Sequence, residues 1–484
     1  MMTNHRGKEF LGFMTTGPAI GIPEFLWMWI AAPKVKVDEL GRPVEAPYGL
    51  RKIEARLQDL GYKAAVIDPD YISKHLNNMK ILMIGHHDYF AYGPPSSEWW
   101  FITGKEPVNR KSFVRFMRSE PVRKAREKGV KIIAGGPAAW QWLWEVELMR
   151  EFGVDTVIDG EAELVIGDIV ERALNNEELP QYVFVGPYEV PQVSEIPVIR
   201  GASVNGLVEI MRGCPRGCKF CSVTLRPLRY IPLEKIRAEV EINVRNGVKN
   251  TILHSEDVLL YGADGIKPKE EPLIKLHELV KRLTPDSIAW AHTSFAAVKF
   301  AEDNYRLLSK IMNDTLYDKQ DYLGVEIGLE TGSPNLAKSA PYPPEKWPEV
   351  VEEALKILHE NRIVPAVTLI LGIPEETPDD LIKTSELLDR IRQYRSLVVP
   401  MFFVPMGALK DRDWFRKNAI RREHIDVMLK TLHHSIYWAE DIMNKFYIKE
   451  SKYLPVRILL KASIRYVKYK VNKLRPLLEE LTHD

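Results

Sequence analysis

Apolar residues along this chain fall into short runs separated by amphipathic stretches, the signature of strands alternating with helices. Between residues 61 and 190 the runs are 63–67, 80–85, 131–134 and 156–158, and helical patterns occupy 111–128 and 162–175. Strands alternating with helices predict a parallel sheet of the doubly wound, Rossmann-like kind. The first 60 residues predict a strand, a Pro/Gly-rich loop and a helix beginning near Tyr48. Residues 178–205 carry Pro180, Pro187, Pro191 and Pro197 with little periodicity, which marks a connection.

A second series follows with a longer period. Strands are expected near Leu207, Thr251, Ile288, Gly324, Ala366 and Leu397, with helices over 232–246, 344–361 and 377–394. Six such repeats, spaced by roughly 30–45 residues, fit an incomplete β/α barrel. Beyond Asp411 the pattern is helical. The expected fold is therefore α/β. A doubly wound domain covers 1–190, a linker 191–205, a partial (β/α)6 barrel 206–410, and a helical, basic region 411–484.

Composition narrows the function classes. Lys plus Arg is 67 against 66 for Asp plus Glu, so no global charge marks a nucleic-acid or membrane binder. The apolar stretch 17–32 is interrupted by Pro18, Pro23 and Glu24, too broken to span a bilayer, and no secretory signal pattern precedes it. A cytoplasmic protein is expected.

There are three cysteines, and all lie between positions 214 and 221. An odd number packed this tightly is no disulfide framework and reads as a metal site in a reducing compartment. The segment Cys214-Pro215-Arg216-Gly217-Cys218-Lys219-Phe220-Cys221 follows the first strand of the second series, where barrel loops carry function. Three thiolates suit three corners of an iron–sulfur cube, leaving a fourth iron open to a chelating substrate. A zinc site short of one ligand and three structural cysteines are the alternatives, with His254 the nearest histidine.

The CxxxCxxC spacing with an aromatic residue before the last Cys resembles the radical S-adenosylmethionine (SAM) superfamily. The resemblance implies a 4Fe–4S cluster on Cys214, Cys218 and Cys221, SAM on the open iron, and reductive cleavage to a 5′-deoxyadenosyl radical. It also implies an electron donor such as ferredoxin or flavodoxin. By the same resemblance Phe220 leans on the adenine, and Ser255, Glu256 and Asp257 after the second strand lie near the SAM amino group. Either acid also reads as a solvated loop carboxylate, and Asp257 as a helix cap. Glu326-Ile-Gly328-Leu-Glu330-Thr-Gly332-Ser333 is like the family's GLESGS stretch beside the ribose, which makes Glu330 a cofactor contact and leaves Glu326 open. Gly372-Ile-Pro374-Glu375-Glu376-Thr377 is like its GLPGET stretch.

A doubly wound domain before such a barrel resembles the cobalamin-binding subfamily. The local matches are Ala46-Pro-Tyr48-Gly49-Leu-Arg51, Ile133-Ala-Gly135-Gly136-Pro137 and Asp159-Gly160-Glu161-Ala-Glu163, which make Gly135, Gly136, Gly160 and Glu161 candidate corrin contacts. The D-x-H-x-x-G cobalt-ligand motif is missing: residues 81–84 lead into Gly85-His86-His87-Asp88. Either cobalamin binds without a protein ligand, or the domain has lost it. His86 and His87 read as turn residues rather than ligands. Trp99, Trp100, Trp140, Trp142 and Trp144 read as packing or as a floor under the ring.

From 451 to 478 there are eight Lys or Arg and no acid. Leu460, Ile464, Val467, Val471 and Leu474 form an apolar stripe, with Lys461, Arg465 and Lys468 beside it and Lys473 and Arg475 further on. A packed cap, an interfacial helix on anionic lipid and an RNA surface all fit, RNA least. The expected activity is functionalisation of an unactivated carbon, by cobalamin-dependent methylation or by corrin-free C–C bond formation on a lipid or other organic substrate. A non-catalytic iron–sulfur accessory is the competing class. Methylthiolation needs a second cluster, for which no cysteine remains.

Overall fold

The computed structural model describes residues 14–19, 23–218, 220–314, 320–337, 339–404, 420–447 and 454–479. Chain contacts divide it into two units, Met1–Glu209 with Leu225–Thr251, and Ile210–Thr224 with Ile252–Asp484.

In the first unit helix α1 (Glu24–Ala31) and helix α2 (Tyr48–Asp59) precede a four-stranded parallel sheet. Its strands are β1 (Ile81–Gly85), β2 (Lys131–Gly135), β3 (Thr156–Asp159) and β4 (Tyr182–Phe184), each paired in parallel with the next. Successive side chains of a strand point to opposite faces. Ile132, Ala134 and Val157 accordingly join a core with Phe113, Trp142 and Phe152. Ile133 and Ile158 join a second core with Leu57, Ile166 and Ile169. Burial on both faces explains why these strands read as continuous apolar runs. Helices α3 (Ser96–Thr103), α4 (Val108–Met117), α5 (Glu120–Glu127), α6 (Val146–Phe152) and α7 (Ile166–Leu174) fill the connections.

Three expectations change. Residues 63–67 form no strand: the amide of Val66 donates to Glu54 and the carbonyl of Ala64 accepts from Gln58, so α2 side chains occupy groups a ladder would use. The single helix expected over 111–128 is two, divided at Arg118–Ser119 ahead of Pro121. The strands also run in chain order. The reversal that defines a doubly wound sheet is not seen among the described residues.

Residues 191–205 are tied into the first unit rather than spanning freely. Ile196, Ile199 and Ala202 are buried, and the Ile199 amide donates to Glu239 on α8 (Leu233–Arg245). Glu239 also accepts from Lys52 at 2.5 Å and from Tyr48 at 2.7 Å, joining α2 to α8.

Strand β5 (Leu207–Glu209) closes the first stretch of that unit. Strands β6 (Asn250–His254), β7 (Ser287–Trp290), β9 (Leu323–Glu330), β10 (Ile363–Leu371) and β11 (Leu397–Phe402) lie at the expected positions, while a further short strand, β8 (His292–Ser294), follows β7 where one strand is expected. In the second unit β8 to β11 form a parallel sheet in chain order, and the Ala291 amide donates to Leu253 on β6. Helices α9 (Glu270–Leu283), α10 (Phe295–Tyr305), α11 (Leu307–Asp314), α12 (Trp347–Glu360) and α13 (Pro378–Ile391) alternate with them. Helices α14 (Arg422–Ile442) and α15 (Leu454–Glu479) follow. Of the expected carboxyl-terminal region, 411–419, 448–453 and 480–484 lie outside the described residues. Among the described residues no helix is long and apolar enough to cross a membrane.

Candidate cluster and SAM site

The cysteine loop turns on two glycines in left-handed conformation, Gly213 (φ +79°) and Gly217 (φ +66°), which other residues adopt only with strain. The Cys221 amide donates to the Cys218 carbonyl, and the Thr224 hydroxyl to that of Cys214. Burial pushes the Cys214 thiol up to about 11 and the Cys218 thiol up to about 12, and raises Cys221 as well, with nearby Glu256 and Glu330 adding to the effect. Such thiols stay protonated until a metal displaces the proton. All three cysteines are free and half-buried. Among the described residues no three His, Cys, Asp or Glu side chains converge on a point that would hold a single ion. A cube offers three separate iron corners and needs no such convergence, so the donor set fits a cluster better than zinc.

A brace that the sequence pattern does not reveal fixes this loop. Arg216, between the first two cysteines, donates through Nε and Nη2 to Oδ2 of Asp257 at 3.1 and 3.0 Å, both side chains being buried. Thr293 donates to Oδ1 at 3.0 Å and Ser294 to Oδ2 at 2.6 Å. Asp257 therefore holds the cluster loop against the end of β8, and its side chain caps no helix. Ser255 is buried with a hydroxyl that meets no partner, whereas Glu256 is exposed. Phe220 is half-buried.

Glu330 is the last residue of β9. A bulge between Gly328 and Glu330 shifts the register against β10 and puts Glu330 at φ +61°, a costly conformation for a side-chain-bearing residue. Its Oε2 is shut from water with no partner, and Oε1 meets only the Thr368 hydroxyl at 3.4 Å. Burial raises this carboxyl to about 7. A Cβ on Gly328 would stand 2.2 Å from Oε1, so the glycine makes room for the folded-back side chain. Strain and an orphaned carboxyl at a strand end make Glu330 a candidate ligand contact. Beyond it, Gly332 donates to Thr384 and Ser333 to Asp380, sewing the turn onto α13. Glu326 instead lies 3.4 Å from His292. In the Gly-Ile-Pro-Glu-Glu turn, Glu376 accepts from the Gly372 amide and meets His424 at 2.8 Å.

These features coincide with a family match over residues 208–388, described as "Radical SAM superfamily". This stretch is a radical SAM domain. Among curated proteins, the chain is 26% identical over 287 residues to tRNA-2-methylthio-N(6)-dimethylallyladenosine synthase of Thermosipho melanesiensis, covering 59% of this chain and 63% of that protein. It is 28% identical over 194 residues to the ribosomal protein uS12 methylthiotransferase RimO of Phocaeicola vulgatus, covering 38% and 41%. The chain thus spans less than two thirds of the length of these relatives. Among solved structures, the radical S-adenosylmethionine methyltransferase TsrM from Kitasatospora setae aligns over 73% of this chain and 70% of its own, with a TM-score of 0.49 and 16% identity.

Outside the radical SAM domain, the residues expected to contact a corrin are mostly engaged within the first unit. Glu161 is clasped by both terminal nitrogens of Arg229, at 3.0 and 2.6 Å. Gly160 packs where a Cβ would stand 2.6 Å from the Val185 carbonyl. Gly136 (φ +86°) lies against the His86 backbone, and Gly135 keeps ordinary room for a neighbour. His86 Nε2 is buried without a partner among Tyr89 and Phe113, and burial lowers the ring to about 4. An imidazole enclosed in this way does not fit as a cobalt ligand. Trp142 belongs to the core and Trp140 stacks edge-on to Trp144, so these three are packing residues; Trp99 and Trp100 are half-buried on α3.

Proposed function

We propose that the protein cleaves SAM reductively and uses the resulting radical to functionalise an unactivated carbon, by methyl transfer. The observation that carries the reading is the pairing of a braced three-thiol loop with an orphaned, strained carboxyl at a neighbouring strand end, within one radical SAM domain. Cys214, Cys218 and Cys221 would hold a 4Fe–4S cluster, which would supply the electron for reductive cleavage of SAM to methionine and a 5′-deoxyadenosyl radical. The chain's own part is placement. Arg216 and Asp257 fix the loop, Glu330 accepts the ribose hydroxyls, and Ser255 offers its spare hydroxyl to the methionine moiety. The enclosed carboxyl also indicates a site that excludes water, which protects a radical from quenching.

A corrin on the amino-terminal unit would supply the methyl group. With His86 enclosed, it would be held without a protein ligand to cobalt, against the backbone of Gly135, where a Cβ would meet only ordinary contact. Methylthiolation, the activity in the names of the curated relatives, calls for a further cluster, and the three cysteines of this chain are already used. Anaerobic purification, mass spectrometry for corrinoid and transfer of label from methyl-labelled SAM test the proposal. Reductive formation of 5′-deoxyadenosine with no corrinoid and no methyl transfer overturns methylation and leaves the radical reading. No 5′-deoxyadenosine overturns both.

A further inference from the structure

Among the described residues, helix α15 carries two apolar rows, one packed on α14 and one exposed. Val471 is buried against Ile425 and Leu429 of α14, with Leu460 and Ile464 half-buried on the same row. That row is the stripe the sequence singles out. It is covered by the chain itself, so it offers nothing to a partner. The side chains of Val467, Leu474 and Arg475 lie outside the described residues.

The second row is not evident from the sequence because its members are spread among lysines. Leu454, Ile458, Ala462, Tyr466 and Tyr469 recur at steps of four, four, four and three, and every one is exposed, Ile458 by 62% and Tyr469 by 54%. Tyr469 and Val471 are two residues apart, so the rows lie about 200° from each other around the helix. Isolated exposed apolar residues are ordinary, but a row of them along four turns is not.

The charge beside this row selects its occupant. Arg465, Lys468 and Lys473 are exposed, Lys461 reaches Glu440 at 3.5 Å, and Lys473 lies 4.6 Å over the Tyr469 ring. No acid occurs from 454 to 478. Aliphatic side chains flanked by lysine and arginine, with tyrosines between, suit an interface where hydrocarbon lies beneath anionic headgroups. An RNA surface would leave Leu454 and Ile458 without a function, since RNA is bound through cations and aromatic stacking.

We propose that the outward face of α15 docks the protein onto an anionic lipid bilayer, with Leu454, Ile458, Tyr466 and Tyr469 in the headgroup region and Arg465, Lys468 and Lys473 on the lipid phosphates. The helix lies along the surface and does not cross it.

Vesicle co-sedimentation of the full chain tests this. Wild-type protein should bind vesicles of phosphatidylcholine with about 30% phosphatidylglycerol, enough anionic lipid to set a surface potential, and bind pure phosphatidylcholine far more weakly. Reversal of three cations, Arg465→Glu, Lys468→Glu and Lys473→Glu, should lower binding about a hundredfold or more. Ile458→Ser with Tyr469→Ser keeps every charge and should lower it at least about tenfold. Both variants alter exposed positions, so an unchanged thermal midpoint confirms folding, and the comparison of the two vesicle types stands without any variant. Equal binding by the serine variant would reduce the effect to charge alone and overturn the insertion. Wild type that ignores anionic vesicles, or prefers single-stranded RNA to them, overturns the proposal.

Discussion

Replacing Glu330 with Gln should change the stability and the SAM affinity of the protein in opposite ways, and both changes should depend on pH. The carboxyl is moved from 4.5 to about 7 by burial, and the Thr368 hydroxyl at 3.4 Å offsets little of that. At 1.36 kcal/mol per tenfold change in proton affinity, the displacement is worth about 3 kcal/mol. Because the folded state raises the value, the folded state holds the proton more tightly than the unfolded chain. Its stabilising contribution is complete below pH 4.5 and is lost as the pH rises through about 7. Glutamine carries no such dependence. In cofactor-free protein, Glu330→Gln should therefore gain up to about 3 kcal/mol over wild type between about pH 4.5 and 8, read as a shift in urea midpoint. SAM binding should behave inversely. Ribose hydroxyls donate to the ionised carboxylate, so wild-type affinity should rise up to about tenfold per pH unit until about pH 7 and then level off, while the Gln variant stays flat and weaker. Calorimetry in two buffers of different ionisation enthalpy reads the proton released. A constant stability gap between mildly acidic and mildly basic buffer, with pH-independent SAM binding by wild type, would refute the reasoning.

Cys214→Ala, Cys218→Ala and Cys221→Ala should each abolish 4Fe–4S absorbance and 5′-deoxyadenosine formation in a folded chain; a single variant retaining both would remove that cysteine from the ligand set. Arg216→Leu and Asp257→Ala each leave one buried partner of an ion pair uncompensated, at a cost of about 3–5 kcal/mol. Both should lower the thermal midpoint and the iron bound on reconstitution to a similar degree. If Asp257 also touches SAM, Asp257→Ala alone should weaken SAM binding a further 10- to 150-fold, from the loss of a charged hydrogen bond worth about 1.5–3 kcal/mol. Glu239→Ala strands Lys52 and Tyr48 inside the first unit and should destabilise it by about 3–5 kcal/mol. Glu151→Gln, which breaks an exposed pair with Arg118, should cost less than about 1 kcal/mol by the same melt.

The cysteine loop is legible in the sequence because its chemistry is local: three thiols within one turn admit few uses, whatever surrounds them. Strand positions in the second unit are legible for a related reason, since strand, turn and helix signals recur there at a regular spacing. What escapes the sequence depends on partners remote along the chain. Arg216 meets Asp257 only in the fold, where Thr293 holds the same carboxylate, and nothing local distinguishes that arginine from a solvated one. Residues 63–67 have the composition of a strand, and only the side chains of Glu54 and Gln58 show where their backbone groups go. Glu161 fits a turn motif that suggests a ligand, yet Arg229, far along the chain, claims its carboxylate. On α15 the apolar period picks out the row that α14 covers and misses the exposed one, because periodicity identifies a face without saying which neighbour lies against it.

The division of the chain bears on how the protein is made. Residues 225–251, which carry α8 and Arg229, belong to the first unit, although the cysteine loop is synthesised before them. Tyr48, Lys52 and Glu161 thus wait for partners that leave the ribosome only after Cys221 has done so. Domains usually complete in order from the amino terminus during synthesis. Here the first unit closes only after the cysteine loop has emerged, so the three thiols leave the ribosome before that unit is complete. A fragment ending at residue 209 would lack Glu239 and Arg229, and it would not be an independent domain.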